Sequence, residues 1–322
     1  MNLGIIGTGA KQPKLVVTND DLTKIGDTND EWIRTRTGIC ERRILTDDTL
    51  EDLAIAASKE ALASSGKAAE DIDLIVVATF TPTNFTPNMA CFLKKELGAK
   101  NAVAFDLNSA CSGFVYSVWV AKNIMDAQGL KNALIVGSDA LSKVTNWDDR
   151  STFVLFGDGA GAAIMSAVDA GGILAMEVKN YDDDGASLGV NGLDVGTPFF
   201  ESDKYEKSVT RMEGAAVFRF ATAACAEIME KLAAKAGKKL SEIQHFVPHQ
   251  ANGRIVDHVA AKLGIPIERF FKNMDKYGNT SAASVPMAMH EMFVARKPKK
   301  GDLVMAMAFG GGLTAGGFLF EI

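Results

Sequence analysis

Cysteine, proline and long apolar runs are all scarce in this 322-residue sequence. The four cysteines lie far apart with no Cys-x-x-Cys pair, which argues against a zinc site or a disulfide framework and for free thiols in a reducing compartment. The 8 prolines exclude a proline-rich or collagen-like chain. No apolar run approaches the roughly 20 residues of a transmembrane helix, and the first residues lack the basic stretch of a signal peptide. We therefore expect a cytoplasmic protein with no membrane partner.

Positive charge is also in deficit. The chain has 34 lysines and arginines against 40 aspartates and glutamates, a net charge of −6. Nucleic-acid binding needs a cationic surface, so we expect no nucleic-acid partner. With 47 % hydrophobic and 23 % charged residues, the composition is that of a globular protein long enough for one large domain or two ordinary ones.

Common nucleotide and metal motifs are missing too. Gly7-Thr8-Gly9 follows an apolar run, but Gln12 stands where the dinucleotide fingerprint requires glycine, so the segment predicts a turn at a strand end. The glycine-rich stretch 156–163 lacks the Lys-Ser/Thr ending of a phosphate loop and predicts tight backbone packing beside a cleft. The four histidines are separated by 4, 9 and 32 positions, which fits no metal-ligand spacing.

The sequence instead contains one α/β pattern twice. An amphipathic helix, a glycine stop and an apolar strand occupy 50–79 and again 215–248. A helix from Cys111 with a strand at 133–138 is matched by a helix from Ser281 with a strand at 303–308. We predict an α/β fold of two duplicated halves, 1–170 and 171–322, whose helix starts and strand ends converge at one cleft.

Cys111 stands among small residues in Asn-Ser-Ala-Cys-Ser-Gly-Phe, residues 108–114, at a predicted helix start. Asn108 or Ser109 can cap this helix, which would place the thiol in the first turn, where the helix dipole and free N–H groups lower a cysteine pKa. The small neighbours leave room for a substrate. From this segment alone, a buried inert cysteine and a nucleophile both stay open.

Three further segments belong to the predicted cleft. His249 comes directly off a strand end, where α/β sheets gather ligands, although a lone histidine is often only a packed core residue. Asn279 lies in the segment that matches the segment of Cys111, where its alternative role is a helix cap. The glycines at 310–312 follow a strand, and they either let backbone N–H groups face the cleft as an oxyanion hole requires or form a turn without a ligand.

Cys111, His249 and Asn279 are spaced by 138 and 30 residues (249 − 111 and 279 − 249). Together with a backbone donor, this grouping suits thioester chemistry. In such chemistry a thiolate attacks an acyl thioester, N–H groups hold the tetrahedral oxyanion, and an acyl-enzyme forms.

Seven motifs follow one another in a specific order. They are Asp30-Glu31-Trp32-Ile33, Thr35-Arg36-Thr37-Gly38-Ile39, Ala110-Cys111-Ser112-Gly113-Phe114, Phe156-Gly157-Asp158-Gly159-Ala160-Gly161, Val247-Pro248-His249-Gln250-Ala251-Asn252, Gly278-Asn279-Thr280-Ser281-Ala282-Ala283-Ser284 and Phe309-Gly310-Gly311-Gly312. In this order the chain closely resembles, nearly from end to end, the β-ketoacyl-acyl carrier protein synthase III family of thiolase-fold condensing enzymes.

The resemblance implies a five-layer αβαβα fold, a homodimer and the condensation that initiates type II fatty acid biosynthesis. An acyl-CoA primer, acetyl-CoA or a short or branched acyl-CoA, would acylate Cys111, and malonyl-acyl carrier protein would then supply an enolate by decarboxylation. His249 and Asn279 would hold the enolate oxygen, while the backbone amides of Cys111 and Gly311 would form a second oxyanion hole. Removing one such donor typically costs about 3–4 kcal/mol of barrier.

The resemblance also implies a CoA site. Trp32, Arg36 and Arg150 match positions that hold the nucleotide end, where an indole can stack on adenine and arginine can pair with phosphate. The positions that match the lining of the CoA tunnel are Gly214, Phe218, Asn252 and Phe309. Acyl-CoA would be a substrate, so we expect no cofactor and no metal.

Acyl carrier proteins are acidic, whereas this chain is itself negative, so docking needs a local basic patch. Residues 251–263 predict an amphipathic helix that carries Arg254, His258 and Lys262 at i, i+4 and i+8. Arg254 matches a carrier-docking position of the family and Arg219 a second, and we assign docking to Arg219, Arg254 and Lys262. The alternative is an ordinary solvated helix face.

Two features depart from the family. A polar excursion occupies 180–213, and its part at 185–200 is longer than in other members, so we expect it to shape or cover the acyl pocket. Thr86 stands in the loop expected to reach the acyl pocket of the partner subunit, where some members have a large aromatic residue. The smaller side chain would widen that pocket for longer or branched primers.

The same residues also test other functions that this sequence could have. A cysteine protease also orders Cys, His and Asn, but its Cys-Gly-Ser/Ala-Cys-Trp/Tyr signature is absent. A degradative thiolase would have a second catalytic cysteine near the C-terminus, and 309–322 contains none. A non-catalytic relative would be expected to lack one of Cys111, His249 and Asn279. A related condensing or acyl-transfer enzyme of secondary metabolism, which primes quinolone or polyketide synthesis, stays open.

Overall fold

The structure of the protein, a computed structural model, describes residues 1–183, 187–192 and 208–322. Its strands are β1 (Leu3–Lys11), β2 (Leu15–Thr18), β3 (Glu41–Ile44), β4 (Leu74–Ala78), β5 (Val103–Leu107), β6 (Asn132–Ala140), β7 (Asp158–Ala167), β8 (Gly172–Asn180), β9 (Leu188–Val190), β10 (Thr210–Met212), β11 (His245–Pro248), β12 (Leu303–Gly310) and β13 (Thr314–Glu321). Its helices are α1 (Asn19–Leu22), α2 (Asp30–Thr37), α3 (Leu50–Ser65), α4 (Met89–Leu97), α5 (Gly113–Gln128), α6 (Arg150–Phe153), α7 (Gly214–Lys235), α8 (Gly253–Leu263), α9 (Met274–Tyr277) and α10 (Ser284–Arg296).

Two sheets form the centre of the fold, and they correspond strand by strand. The N-terminal sheet has the order β1-β7-β6-β4-β5, and the C-terminal sheet has the order β8-β13-β12-β11. In each sheet the first three strands are antiparallel neighbours and the next pair is parallel. Beside β11, a single bridge from Phe246 to Phe270 takes the place that β5 takes beside β4. The two sheets are thus duplicates, while the boundary between residues 170 and 171 stays a prediction.

Helices cover and separate the sheets in five layers. α3 and α4 pack on the outer side of the N-terminal sheet, α5 and α10 lie between the sheets, and α7, flanked by α8, covers the C-terminal sheet. Strand β4 has only apolar residues because both of its faces are covered. Leu74 and Val76 belong to the core between the sheets, whereas Ile75 and Val77 belong to the core under α3 and α4. Because successive side chains point to opposite faces, a strand covered on both sides buries every residue. The predicted five-layer αβαβα fold is confirmed.

Glycines let helices pack directly on strands in the N-terminal half. The prediction of a turn at Gly7-Thr8-Gly9 is wrong, since these residues lie inside β1. A Cβ at Gly9 would lie 2.2 Å from the Ala57 carbonyl oxygen of α3. At 156–163 the predicted tight packing is confirmed, because a Cβ at Gly161 would lie 2.6 Å from the backbone nitrogen of Met287 in α10.

The helix starts before α5 and α10 are alike, and both differ from the prediction. A 3₁₀ turn precedes each helix, at Ala110–Ser112 and at Ser281–Ala283, so the α-helices begin two and three residues later than expected (113 − 111 and 284 − 281). Each turn contains a non-glycine residue in the left-handed region, Ala110 at φ 44° and Ser281 at φ 53°. Such strain, about 1–3 kcal/mol per residue, persists only where neighbouring contacts hold it, and it is concentrated at active sites.

The excursion at 180–213 is described at 180–183, 187–192 and 208–213. β9 and β10 pair antiparallel there, and the backbone nitrogen of Tyr181 donates to the Leu313 carbonyl at 2.8 Å. The prediction about 185–200 lies outside the described residues except at 187–192. Among the helices of the described ranges, none is long and apolar enough to cross a membrane.

Candidate active site

One cavity of about 530 Å³ lies where the helix starts and strand ends of the two halves meet. Cavities of this size accommodate small-molecule ligands. The residues predicted from the sequence that line it are Cys111, Gly214, Phe218, His249, Asn252, Asn279, Phe309 and Gly311. The structure therefore brings together the three proposed catalytic side chains, both proposed backbone donors and the four proposed tunnel residues.

Cys111 is buried in the 3₁₀ turn that follows β5. The turn packs directly on the end of β12, where a Cβ at Gly310 would lie 2.9 Å from the Cys111 nitrogen. Burial raises the pKa of the Cys111 thiol to about 12. The expectation that the helix start lowers this pKa is therefore wrong for the resting thiol, because lost hydration outweighs the helix N–H groups. The resting thiol is therefore neutral at neutral pH, and a nucleophilic role for Cys111 would require loss of its proton.

His249 follows β11 directly and is held by its backbone and its neighbour. Its backbone nitrogen donates to the Met307 carbonyl at 2.8 Å. The buried Gln250 fixes the same turn, since its backbone nitrogen donates to Ser284 Oγ at 2.7 Å and its side-chain Nε2 to the Pro248 carbonyl at 2.6 Å. Burial lowers the pKa of His249 to about 3, so the ring is neutral. Nδ1 is buried without a hydrogen-bond partner among the described residues, which leaves Nε2 as the nitrogen that can donate into the cavity.

Asn279 is fixed at both its backbone and its side chain. Its backbone nitrogen donates to the Leu155 carbonyl at 2.9 Å, and its carbonyl accepts from the Gly157 nitrogen at 3.0 Å. The side-chain Oδ1 accepts from the Ser281 nitrogen at 2.9 Å. Because this hydrogen bond uses the amide oxygen, it sets the orientation of the amide and leaves the Nδ2 group as a donor for the cavity.

The two halves repeat this arrangement around the cavity. Asn108 Oδ1 accepts from the Ala110 nitrogen at 3.1 Å, as Asn279 accepts from Ser281. The offset between the halves is 171 residues (279 − 108), so Asn279 corresponds to Asn108, and Cys111 corresponds to Ala282 (282 − 111). One half thus presents the thiol, and the other presents the more deeply buried amide.

The glycine turn between β12 and β13 completes the Cys111 end of the cavity. Ser112 Oγ donates to the Thr314 carbonyl at 3.3 Å, and Thr314 Oγ1 lies 3.0 Å from Ser112 Oγ and 3.2 Å from the Gly311 carbonyl, which joins this turn to the turn of Cys111. The backbone amides of Cys111 and Gly311 therefore lie at the same end of the cavity. Of the described lining residues, none is Asp, Glu, Lys or Arg. A thiol among neutral donors is suited to holding a transient oxyanion rather than to strong base catalysis.

Trp32, Arg36 and Arg150 form a cluster beside this cavity. The Arg150 guanidinium lies 4.7 Å from the Trp32 ring centroid and that of Arg36 lies 5.6 Å away. The helix of this cluster, α2, touches the edge of the cavity. Its last residue, Thr37, packs on Gly253, since a Cβ at Gly253 would lie 3.3 Å from the Thr37 carbonyl oxygen. Gly253 is the neighbour of the lining residue Asn252. An indole flanked by two guanidinium groups has the chemistry to hold an adenine and its phosphates.

The three residues assigned to docking are exposed at the surface near the same edge. Arg219 lies on α7, and Arg254 and Lys262 lie on α8, whose apolar stripe is buried as predicted. The Phe218 and His258 rings meet edge to face at 5.8 Å, which joins the two helices.

Thr86 is exposed and does not line the cavity of its own chain. Its predicted contact with a partner subunit stays a prediction. Leu188, Thr210 and Met212 line the cavity from the excursion at 180–213, whose part at 185–200 is expected to shape or cover the acyl pocket. Lining residues without a prior prediction are mainly apolar and include Phe80, Leu141, Leu155, Val217, Ile255 and Thr314. Their sequence signal is only apolar composition, which core residues share. The described part of the chain holds no group of three or more His, Cys, Asp or Glu that could bind a metal ion.

Comparisons with known proteins agree on one family. Family models described as 3-oxoacyl-[acyl-carrier-protein] synthase III and as its C-terminal part match residues 105–182 and 233–322. The β-ketoacyl-[acyl-carrier-protein] synthase III of Clostridium perfringens is 45 % identical over 322 residues, 100 % of this chain and 99 % of the relative.

Solved structures show the same likeness. The 3-oxoacyl-[acyl-carrier-protein] synthase III of Aquifex aeolicus VF5 has a TM-score of 0.92 at 43 % identity, covering 99 % of this chain and 100 % of that chain. The priming β-ketosynthase of the R1128 polyketide pathway has a TM-score of 0.93 at 34 % identity, covering 100 % and 96 %.

A duplicated five-layer fold with a buried thiol, a histidine and an asparagine at one central cavity defines a thiolase-like condensing enzyme. This class includes several families that differ in substrate. The chain belongs to the β-ketoacyl-acyl carrier protein synthase III family and is an acyltransferase.

Proposed function

We propose that the chain condenses an acyl-CoA primer, acetyl-CoA or a short or branched acyl-CoA, with malonyl-acyl carrier protein. The product is a 3-ketoacyl-acyl carrier protein, and the reaction initiates type II fatty acid biosynthesis. The observation that carries the proposal is the convergence of Cys111, His249 and Asn279 in one cavity built from both halves. The names of the relatives with 45 % and 44 % identity support the same activity here.

In the first half-reaction, Cys111 Sγ attacks the thioester carbonyl of the primer. A bond forms between Sγ and the acyl carbon, the bond from that carbon to the CoA sulfur breaks, and the proton given up by Cys111 leaves with CoA. The backbone amides of Cys111 and Gly311 donate to the oxyanion of the tetrahedral intermediate. This donation supplies stabilisation only where charge develops, which lowers the barrier.

In the second half-reaction, the malonyl group loses CO₂ and the electron pair of that C–C bond forms an enolate. Nε2 of His249 and Nδ2 of Asn279 donate hydrogen bonds to the enolate oxygen. The enolate carbon attacks the acyl carbon on Cys111, the C–S bond breaks, and the released thiolate takes a proton from solvent to restore the Cys111 thiol. A histidine whose pKa lies near 3 suits this role, since a neutral ring donates a hydrogen bond without transferring its proton.

The test is mass spectrometry of the protein mixed with a panel of acyl-CoAs and then with malonyl-acyl carrier protein. The expected result is an acyl group on the peptide of Cys111, followed by its release as 3-ketoacyl product. Acyl adducts that never give this product would contradict the synthase assignment but would still support Cys111 as the nucleophile. Competition among acetyl-, butyryl- and isobutyryl-CoA tests Thr86, and a strong preference for acetyl-CoA would contradict a widened pocket.

A second candidate function is priming in secondary metabolism. The observation in its favour is the likeness to the R1128 priming β-ketosynthase, with 34 % identity over the whole chain. Assays with malonyl groups on a fatty acid carrier and on a polyketide carrier distinguish the two functions. Faster turnover with the polyketide carrier would favour the second.

Trp32 is expected to bind the nucleotide end of CoA. Replacing it with alanine should raise KM for acetyl-CoA about tenfold and leave kcat almost unchanged, because base–aromatic stacking contributes about 1–3 kcal/mol. Steady-state kinetics with varied acetyl-CoA measures this effect. Trp32→Phe keeps a stacking face and should recover most of the affinity. A fall in kcat at unchanged KM would contradict a binding role.

Arg254 is expected to attract the acidic carrier. Reversing its charge with Arg254→Glu should raise KM for malonyl-acyl carrier protein about fivefold or more at low salt and leave KM for acetyl-CoA unchanged. The matched control is Lys59→Glu, which has the same change in net charge on α3, in the opposite outer layer. If both variants raised KM for malonyl-acyl carrier protein equally, the effect would come from net charge and not from docking at Arg254.

The proposal includes a cytoplasmic homodimer without a prosthetic group. β5 is the outermost strand of its sheet, and an unpaired edge strand can pair with a second copy. An exposed apolar side chain on this strand supports such pairing, since Val103 is 62 % exposed, and Phe85 in the loop between β4 and α4 is 78 % exposed. All four cysteines are free thiols, in keeping with a reducing compartment. Light scattering coupled to size-exclusion chromatography that gave a monomer would contradict the dimer.

A further inference from the structure

Asp139, in β6, is a fully buried carboxylate without an assigned role. Its Oδ1 accepts from Thr79 Oγ1 at 3.0 Å, from the Phe80 nitrogen at 3.0 Å and from Thr81 Oγ1 at 2.9 Å. Its Oδ2 accepts from the Ala282 nitrogen at 3.2 Å. Burial raises the pKa of Asp139, and these donors oppose that rise. A carboxylate placed so deeply without a cation in this set of partners needs all of its donors held in place.

The hydrogen bonds of Asp139 reach two segments that border the cavity. Phe80 lines the cavity from the N-terminal half. Ala282 belongs to the 3₁₀ turn of the C-terminal half and lies three residues after Asn279 (282 − 279). Asp139 is thus a direct hydrogen-bonded link between the halves at the level of the reacting groups.

The turn that Asp139 contacts is strained, and it orients the side-chain amide of Asn279, whose backbone is held separately by Leu155 and Gly157. Ser281 is buried with φ 53°, a conformation that surrounding contacts must maintain. Its backbone nitrogen makes the hydrogen bond to Asn279 Oδ1 that orients the amide. Its hydroxyl lies beside Cys111 and Asp139 and lowers the pKa of both, yet it completes no regular hydrogen bond with any described residue. The hydrogen bond that joins this turn to the Asp139 carboxylate is therefore the one from the Ala282 nitrogen.

We propose that Asp139 is a positioning residue for decarboxylation, because its carboxylate anchors the turn at 281–283 and so directs the Asn279 amide into the cavity. This inference rests on the proposed function. It does not make Asp139 an acid or a base in the reaction, since its contacts are to the protein and not to the cavity. A shift of the amide by about 1 Å is enough to cost about 10²-fold in rate.

The test compares the two half-reactions in Asp139→Asn. We expect CO₂ release from malonyl-acyl carrier protein to fall about 100-fold and acylation of Cys111 by acetyl-CoA to change by less than about threefold. The double variant Asp139→Asn, Asn279→Ala should decarboxylate no more slowly than Asn279→Ala alone, because both changes act through one amide. Equal slowing of both half-reactions, or additive effects in the double variant, would overturn the proposal.

Asp158 provides a matched control. It is a buried aspartate in β7 whose carboxylate accepts from the Leu45 nitrogen, the Ser142 nitrogen and Ser142 Oγ, and not from the turn at 281–283. Asp158→Asn should lower the melting temperature without separating the half-reactions, and a selective loss of decarboxylation in it would count against the proposal.

Thr79→Val covers the case in which Asp139→Asn does not fold. This change removes one donor to the carboxylate, and it should shift the ratio of the half-reactions in the same direction by a smaller factor, so an unchanged ratio would also overturn the proposal. Absence of decarboxylation in the unaltered protein would be a failure of the proposed function instead.

Discussion

Replacing Cys111 with alanine is expected to abolish the acyl-enzyme and to lower the condensation rate about 10⁴-fold or more, because the reaction loses its nucleophile. The measurement is the mass of the intact protein after mixing with acetyl-CoA, followed by peptide mapping and by steady-state rates with malonyl-acyl carrier protein. The unaltered protein should have one acetyl group, on the peptide that contains Cys111.

Cys225 is a matched control for this prediction. It is also a buried thiol whose pKa burial raises to about 12, but it lies on α7 and does not line the cavity. Cys225→Ala should therefore keep both acylation and condensation. An acetyl group on Cys225 or on the exposed Cys91, or an adduct that persists in Cys111→Ala, would remove Cys111 from the role of nucleophile.

Replacing Asn279 with alanine is expected to slow CO₂ release from malonyl-acyl carrier protein by about 10²–10³-fold, the usual effect of losing one oxyanion donor. Acylation of Cys111 should change little, because the oxyanion donors proposed for that step are the backbone amides of Cys111 and Gly311. The two rates are measured separately, CO₂ release in steady state and acylation by rapid quench with acetyl-CoA.

Two further variants isolate the amide donor. Asn279→Asp keeps an oxygen that can accept from the Ser281 nitrogen but has no N–H group to offer, so it should be as slow as the alanine variant. Asn108→Ala removes the corresponding side chain of the other half from the same cavity and should spare CO₂ release. Normal decarboxylation by Asn279→Asp would show that the donor is elsewhere.

Most of the fold could be predicted because its elements obey local rules. The predicted helix stops Gly66 and Gly129 adopt left-handed conformations, with φ 69° and 67°. The repeated order of helix, glycine and apolar strand is what two corresponding sheets require. Gly7-Thr8-Gly9 was wrongly predicted as a turn, because the sequence does not distinguish a glycine in a turn from a glycine in a strand beneath a packed helix. Only the contact with Ala57 in α3 decides between them.

The candidate site could be predicted as far as its motifs reach. Cys111, His249 and Asn279 lie at helix starts and strand ends, which meet at one edge in α/β folds. The raised pKa of Cys111 could not be predicted. The sequence shows a helix start at Cys111, but it does not show that Gly310 of the other half packs against that residue and buries it. Asp139 was missed for the same reason, since its link to Ala282 spans 143 residues.

The neutral lining of the cavity has a consequence for which primers it admits. The described lining has no charged side chain, and burial keeps both the Cys111 thiol and the His249 ring uncharged. The same loss of hydration acts on a carboxylate brought in by a ligand. In the proposed reaction a malonyl group is relieved of this penalty on decarboxylation, because its carboxylate departs as neutral CO₂ and its charge moves to the enolate oxygen, which would face the proposed donors of His249 and Asn279. A dicarboxylic primer would have no such escape, so we expect discrimination by charge as well as by chain length.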